Sequence, residues 1–279
     1  MNRIPASSPR LPSAALSSTV STAAFTSPPP SSAPLVLLHG WAMSPAAWAP
    51  LQAELGALST LAPALPGHGA DAPRPQAPGL AGWADALAAT LPQGAAGAIV
   101  VGWSLGGLLA LELAHRYPER VARLVLIGAS ARFVADEAGS PGLGAEVVEG
   151  FRRGFATDPG ATLKRFIALQ CLGEADRRRT QQAVGAALAP DADRSPPDPV
   201  LADGLAILAD SDLRPQLGEI RPPCLIIHGE HDALMPLAAA QALAAALPAA
   251  ELRVLGGSGH ALPLSRPADC ARLIGAFLQ

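Results

Sequence analysis

Gly102-Trp103-Ser104-Leu105-Gly106 decides how the rest of the chain is read. One serine stands between two glycines, directly after the apolar run Ala98-Ile99-Val100-Val101 and directly before Leu105 to Arg116, where Leu105, Leu108, Leu109 and Leu113 recur at helical spacing. A strand that turns sharply into a helix with a serine at the bend is a nucleophile elbow, and its glycines are needed because side chains there would collide with the neighbouring strand and helix. The plain alternative is a glycine-rich turn in which Ser104 only caps the helix. Partners further along the chain decide between the two.

Outward from the elbow, apolar strands alternate with helical stretches, the pattern of a mostly parallel sheet with helices on both faces. Leu35 to Leu38 reads as a strand running into His39-Gly40-Trp41, Pro45 to Leu55 as a helix, and Thr60 to Leu65 as a strand running into Pro66-Gly67-His68-Gly69. Leu80 to Leu91 is helical and Val121 to Ile127 is another strand. From Ala131 to Glu219 the alternation stops. Glu146 to Phe155, Ala161 to Leu172, Ala175 to Leu188 and Val200 to Leu208 read as successive helices. Such a block inside a sheet protein is expected to be a helical lid over the strand ends, so residues 34–130 and 220–279 form the core and 131–219 the insertion. The alternation resumes with a strand at Cys224 to Ile227, a helix at Leu237 to Leu247, a strand at Glu251 to Leu255 and a last helix at Ala268 to Leu278.

Composition sets the outer bounds. A chain of 279 residues that is 49% hydrophobic can bury one full α/β core. Nineteen arginines accompany a single lysine, Lys164, which reads as coding bias, and the net charge of −3 gives no reason to expect nucleic acid or membrane as a partner. No apolar run approaches the roughly 18 to 20 residues that span a bilayer. Cys171, Cys224 and Cys270 are odd in number and widely spaced, so neither a disulfide framework nor a zinc site is indicated and a reducing cytoplasm is the simplest compartment. Residues 1–33 are rich in Ser, Ala, Pro and Thr, and the first acidic residue of the chain is Glu54. They are expected to be a disordered low-complexity extension. Arg3 and Arg10 give the segment some likeness to a transit peptide.

A serine hydroxyl is a weak nucleophile near neutral pH and needs a histidine base, which in turn needs a carboxylate to set its tautomer. After an elbow of this kind the acid and then the histidine follow, each in a loop after a later strand. Asp232 follows the strand ending at Ile227, and His260 follows the strand ending at Leu255. Glu230, Asp210 and Asp212 compete for the acid role, but position favours Asp232, which the turn preference of Asp alone would also explain. His260 lies in Gly256-Gly257-Ser258-Gly259-His260, an unusual place for a packing histidine. The oxyanion needs two donors, expected to be the backbone N–H of Leu105 and that of Trp41 in the loop after the first strand, each worth about 3 to 4 kcal/mol in the transition state. A neutral His260 implies activity that rises with pH across roughly 6 to 7.

Together His39-Gly40-Trp41, Pro66-Gly67-His68-Gly69, Gly102-Trp103-Ser104-Leu105-Gly106-Gly107, Asp232 and His260 resemble the α/β-hydrolase superfamily over Pro34 to Gln279. More narrowly, Gly-Trp-Ser-Leu-Gly-Gly, Arg165-Phe166-Ile167-Ala168-Leu169-Gln170, and Gly204-Leu205-Ala206-Ile207-Leu208 with Asp212-Leu213-Arg214 resemble the pimeloyl-[acyl-carrier protein] methyl ester esterase family of biotin synthesis. The resemblance implies a serine carboxylesterase with no metal or organic cofactor, acting on a methyl ester carried by acyl-carrier protein; a monomer is expected. It also implies that Trp41 and Leu105 line the acyl pocket beside Ser104 and His260, that Phe166, Ile167, Ala168, Leu169 and Gln170 face the substrate, and that Phe133 is a further pocket residue. Without it, Phe166 would read as ordinary core. Superfamily members place a strand or hairpin ahead of the first strand read here, a place that only Thr19 to Thr26 could fill in this chain.

Charge adds a separate indication. Between Phe151 and Gln182 seven basic residues stand against three acids, in a chain that is acidic elsewhere. Arg165 and Arg178 are the contacts expected for an acidic carrier. A short-chain carboxylesterase or lactonase, and a catalytically silent binding scaffold, are the alternatives that the residues leave open.

Overall fold

The computed structural model describes residues 33–73, 75–93, 97–195 and 197–279. The low-complexity extension, its last residue apart, and the Thr19 to Thr26 strand lie outside these residues. No described helix is long and apolar enough to cross a membrane.

Strands Leu35–Leu38 (β1), Thr60–Leu61 (β2), Ala98–Trp103 (β3), Val121–Ile127 (β4), Cys224–Gly229 (β5) and Ala250–Leu255 (β6) form one parallel sheet in the order β2-β1-β3-β4-β5-β6. The chain reverses direction across the sheet between β1 and β3, so the loops leaving those two strands diverge and open a crevice at their C-terminal ends. Leu38 pairs with Gly102 there, which sets the His39-Gly40-Trp41 loop beside the elbow.

Both faces of the sheet are buried, and alternate residues divide between two cores. Val36, Leu38, Val100, Leu124 and Leu126 pack against helices Gly79–Ala88 (α2), Leu105–Arg116 (α3) and Leu237–Ala246 (α8), through Trp83, Leu109 and Leu243 among others. Leu35, Leu37, Ile99, Val101, Val125 and Ile127 pack on the other side against the 3-10 turn Pro45–Trp48, Ala49–Leu55 (α1) and Pro267–Phe277 (α10), through Trp48, Leu51, Ile274 and Phe277. A short turn of helix, Leu262–Ser265 (α9), precedes α10. The second strand is two residues long where the apolar pattern predicts six. Pro63 has no N–H to offer a ladder, and Leu65 N donates to the His39 ring at 3.1 Å instead.

Among the described residues, four α-helices lie between β4 and β5: Ala145–Thr157 (α4), Pro159–Gln170 (α5), Arg177–Ala186 (α6) and Pro199–Asp210 (α7). Three start at an aspartate cap. Asp158 Oδ1 accepts from Ala161 N at 2.9 Å, Asp176 Oδ1 from Arg179 N at 3.0 Å and Asp198 Oδ1 from Val200 N at 2.8 Å. Proline occupies the first position of α5 and α7, where no N–H is needed. Asp203 on α7 accepts from Gly79 N and Trp83 Nε1 at 3.0 and 2.9 Å, tying this helical segment to α2.

Candidate active site

Ser104 sits at the junction of β3 and α3 with φ 57° and ψ −116°, a conformation that L-residues adopt only at a cost of about 1 to 2 kcal/mol. The surroundings hold it there. Its N–H donates to Ile127 O at 3.0 Å, and its carbonyl accepts from Gly107 N and Leu108 N at 2.8 and 3.2 Å. The hydroxyl makes no capping bond to α3, so the helix-cap reading of this serine does not describe the structure. The glycines are obligatory: a Cβ on Gly102 would overlap Gly106 O, one on Gly106 would overlap Leu38 O, and one on Gly107 would overlap Ala129 Cβ.

Asp232 and His260 come from loops after β5 and β6 and meet beside the end of β4. His260 Nδ1 donates to Asp232 Oδ2 at 2.7 Å, and both side chains are buried. Because a carboxylate only accepts, this bond sets the Nδ1–H tautomer and leaves Nε2 as the bare ring nitrogen. Among the described residues that buried Nε2 has no hydrogen-bond partner. Asp232 Oδ1 accepts from Leu234 N and Met235 N at 2.9 and 2.8 Å. Burial opposes its charge, but His260, His228 and the Met235 N–H outweigh burial and hold the carboxyl below the usual range. The competing acids are engaged elsewhere. Glu230 accepts from Gly257 N, Asp210 lies 3.7 Å from Arg152, and Asp212 is bonded to Arg132 and Arg214.

Gly128 brings the pair close to the elbow. It follows Ile127, whose carbonyl holds Ser104 N, and a Cβ at Gly128 would lie 3.2 Å from His260 Nδ1 and 3.4 Å from Asp232 Oδ2. A second tie joins Trp103 Nε1 to His260 O at 3.0 Å.

The loop after β1 is shaped by two histidines with no place in proton transfer. His39 Nδ1 donates to Gly40 O and its Nε2 accepts from Leu65 N. His68 Nδ1 donates to Pro66 O and its Nε2 accepts from Ala42 N at 2.9 Å. Their rings meet edge to face at 5.1 Å. Burial, reinforced by the neighbouring His68, pushes His39 down to about 3, and burial brings His68 to about 4, so both stay neutral. Ala42 adopts φ 61°, and its carbonyl accepts from Ala189 N. Among the described residues, Trp41 N in the loop after β1 and Leu105 N at the start of α3 have no backbone acceptor.

A narrow cleft lies against Ser104, lined by Leu108, Ser130, Phe133, Leu208 and Met235. Phe133 and Leu208 also line a narrow apolar cleft, with Val148, Phe151, Phe166 and Leu234 among its walls. Phe133 thus lines both clefts, and Phe166 the second. Trp41 is buried behind them, its Nε1 donating to Leu201 O at 2.8 Å and its ring 5.1 Å from both Phe155 and Phe166. The rest of the predicted stretch does not line these clefts. Ile167 packs with the core that contains Trp103 and Leu262, Leu169 packs on the opposite core, and Ala168 is half-buried. Gln170 is buried, accepts from His260 N at 3.2 Å through its carbonyl, and has no partner for Nε2 among the described residues. Arg165 and Arg178 are exposed, the former 5.0 Å above the Phe151 ring.

Sequence reading missed Leu108, Ser130, Leu208 and Met235 as cleft residues. Their signal is positional: Ser130 lies two residues beyond Gly128, and Met235 three beyond Asp232.

These features define the class. Residues 33–267 match the model of the alpha/beta hydrolase fold, and the chain belongs to that family. It is 51% identical over 246 residues to the pimeloyl-[acyl-carrier protein] methyl ester esterase of Aromatoleum aromaticum, across 86% of this chain and 96% of that one. Its identity to the enzyme of the same name from Citrobacter koseri is 36%, across 88% and 93% of the two chains. Among solved structures, a bromoperoxidase from Bacillus anthracis superposes with a TM-score of 0.74 at 22% identity over 88% of this chain and 91% of that one, a likeness of fold alone.

Proposed function

We propose that this protein is a serine carboxylesterase that hydrolyses the methyl ester of a pimeloyl chain carried on acyl-carrier protein, releasing methanol and the free carboxylate for biotin synthesis. The observation that carries the reading is the Asp232–His260 bond of 2.7 Å with a bare, buried Nε2, set beside a strained serine whose hydroxyl caps no helix.

Ser104 Oγ attacks the ester carbonyl while His260 Nε2 takes its proton. Asp232 keeps the ring in the required tautomer and stabilises the imidazolium. The carbonyl oxygen, now an anion, is received by the N–H groups of Trp41 and Leu105. The tetrahedral intermediate collapses, the C–O bond to the methoxy group breaks, and His260 returns the proton to the departing methanol. Water then attacks the acyl-enzyme with His260 as base, and the carboxylate leaves with Ser104 restored. The acyl chain occupies the two clefts past Phe133 and Phe166. Helices α4 to α7 act as a lid, and Arg165 and Arg178 on their outer surface meet the acidic carrier. The three free, buried cysteines fit a reducing cytoplasm.

Complementation tests this reading. A biotin auxotroph lacking its own esterase of this kind should grow on this gene and not on its Ser104→Ala form. Failure of the wild-type gene, with the protein expressed and folded, would count against the substrate assignment.

A further inference from the structure

The loop that carries His260 is fastened to the α5–α6 turn by contacts that proton transfer itself does not need. His260 N donates to Gln170 O at 3.2 Å. Glu174, in the turn, accepts through Oε1 from Gly259 N and from Ser265 Oγ, each at 3.0 Å. The two segments touch closely, since a Cβ at Gly259 would overlap Leu172 O, and the turn also meets the loop after β5, where a Cβ at Gly173 would overlap the His231 side chain.

A carboxylate is an expensive choice for this place. Burial pushes the Glu174 carboxyl above its usual range, against the bonds from Ser265 and Gly259 and the nearby Arg266. A glutamine could accept the same two bonds at a smaller desolvation cost, so the charge calls for its own explanation. The titratable and charged groups around it include Cys171 on its own turn, Arg177 at the start of α6, Asp232 and His231 from the loop after β5, and His260 and Arg266 from the segment after β6. Glu174 therefore lies within electrostatic reach of Asp232, the partner of His260, while touching the residue next to His260.

We propose that Glu174 is a positioning residue for His260: it holds Gly259 N, and as an anion near the pair it favours the imidazolium formed when Ser104 gives up its proton. This rests on the reading of His260 as the base. The anion helps His260 take the proton, and the tether keeps the ring where Ser104 can deliver it.

The test compares wild type, Glu174→Gln and Glu174→Ala on p-nitrophenyl butyrate across pH, with active sites counted by fluorophosphonate labelling. Glu174→Ala should lower kcat about tenfold or more with KM within about twofold, the pattern of a misplaced catalytic group. Glu174→Gln, which retains an acceptor, should recover most of that kcat. In both variants the acid limb of kcat against pH should move to lower pH, because the imidazolium has lost an anionic neighbour. An unchanged kcat and acid limb in both variants overturns the proposal. So does a fall in kcat with an unmoved acid limb, which marks a structural contact only. His260→Ala separates the two readings: if it stays active, the assignment of the base fails, whereas an inactive His260→Ala beside unaltered Glu174 variants sinks the positioning role alone.

Discussion

Trp103 Nε1 donates a hydrogen bond of 3.0 Å to the carbonyl oxygen of His260, so the residue before the proposed nucleophile holds the residue proposed as its base. Their rings lie 6.0 Å apart, and both side chains are buried. This buried contact joins the segments of Ser104 and His260 directly, in addition to the approach through Gly128.

Trp103→Phe keeps most of the ring and removes the donor, leaving His260 O buried without it. That loss should destabilise the protein by about 1 to 3 kcal/mol, and a chain of this size loses roughly 2 to 4 °C of Tm per kcal/mol. kcat should fall while KM changes little. Thermal unfolding and steady-state kinetics on a small ester check both, and an unchanged Tm with unchanged kcat would remove the role given to this bond.

Stability should depend on pH through His39 and His68. An unfolded histidine takes up a proton near 6.5, whereas these two, folded, do so only at about 3 and about 4. Between those limits the unfolded state binds more protons, so their contribution is present near neutrality and is lost as pH falls below about 6.5. Asp232 and Asp212, held low, add losses at more acidic pH, while Glu112 and Glu174, held high, oppose them. The urea midpoint should therefore drop steadily from pH 7 to pH 4, and His68→Gln should flatten the slope. A midpoint constant over that range would mean that the two imidazoles are not buried neutral.

Much of this arrangement was legible in the chain because it depends on local pattern. The apolar runs ending at His39, Gly128, His228 and Gly256 mark β1, β4, β5 and β6, and the glycines around Ser104 mark the bend. β2 was overread because Thr60 to Leu65 looks apolar, while Pro63 and the diversion of Leu65 N to His39 stop the ladder after two residues. The break between α9 and α10 follows Pro267, which starts a new helix and cannot continue the old one. Contacts between distant segments left no local trace. His68 to Ala42, Glu174 to Gly259 and Trp103 to His260 join residues whose types alone suggest no pairing. The stretch Phe166 to Gln170 reads as one substrate-facing unit, yet a helix turns about 100° per residue, so only Phe166 reaches the apolar cleft.

Charge on the helical segment separates a carrier-dependent esterase from a general one. Arg165→Glu with Arg178→Glu should slow turnover of a carrier-bound methyl ester at least about tenfold at low salt, through weaker encounter with an acidic partner. Raising the salt should narrow the gap between variant and wild type. Hydrolysis of p-nitrophenyl butyrate should be unaffected. Equal losses on both substrates would place the effect in the fold of α5 and α6 instead of carrier docking.

The most direct measurement follows the mass of the acylated carrier. Pimeloyl methyl ester on acyl-carrier protein is incubated with the wild type and with Ser104→Ala, and the intact carrier is weighed by mass spectrometry. The account predicts that the wild type removes the mass of one methylene, as ester becomes acid, with methanol released in equal amount, and that Ser104→Ala is slower by about four orders of magnitude or more. Hydrolysis by Ser104→Ala at the wild-type rate, or a wild type that cleaves p-nitrophenyl butyrate and leaves the carrier-bound ester intact, would contradict it.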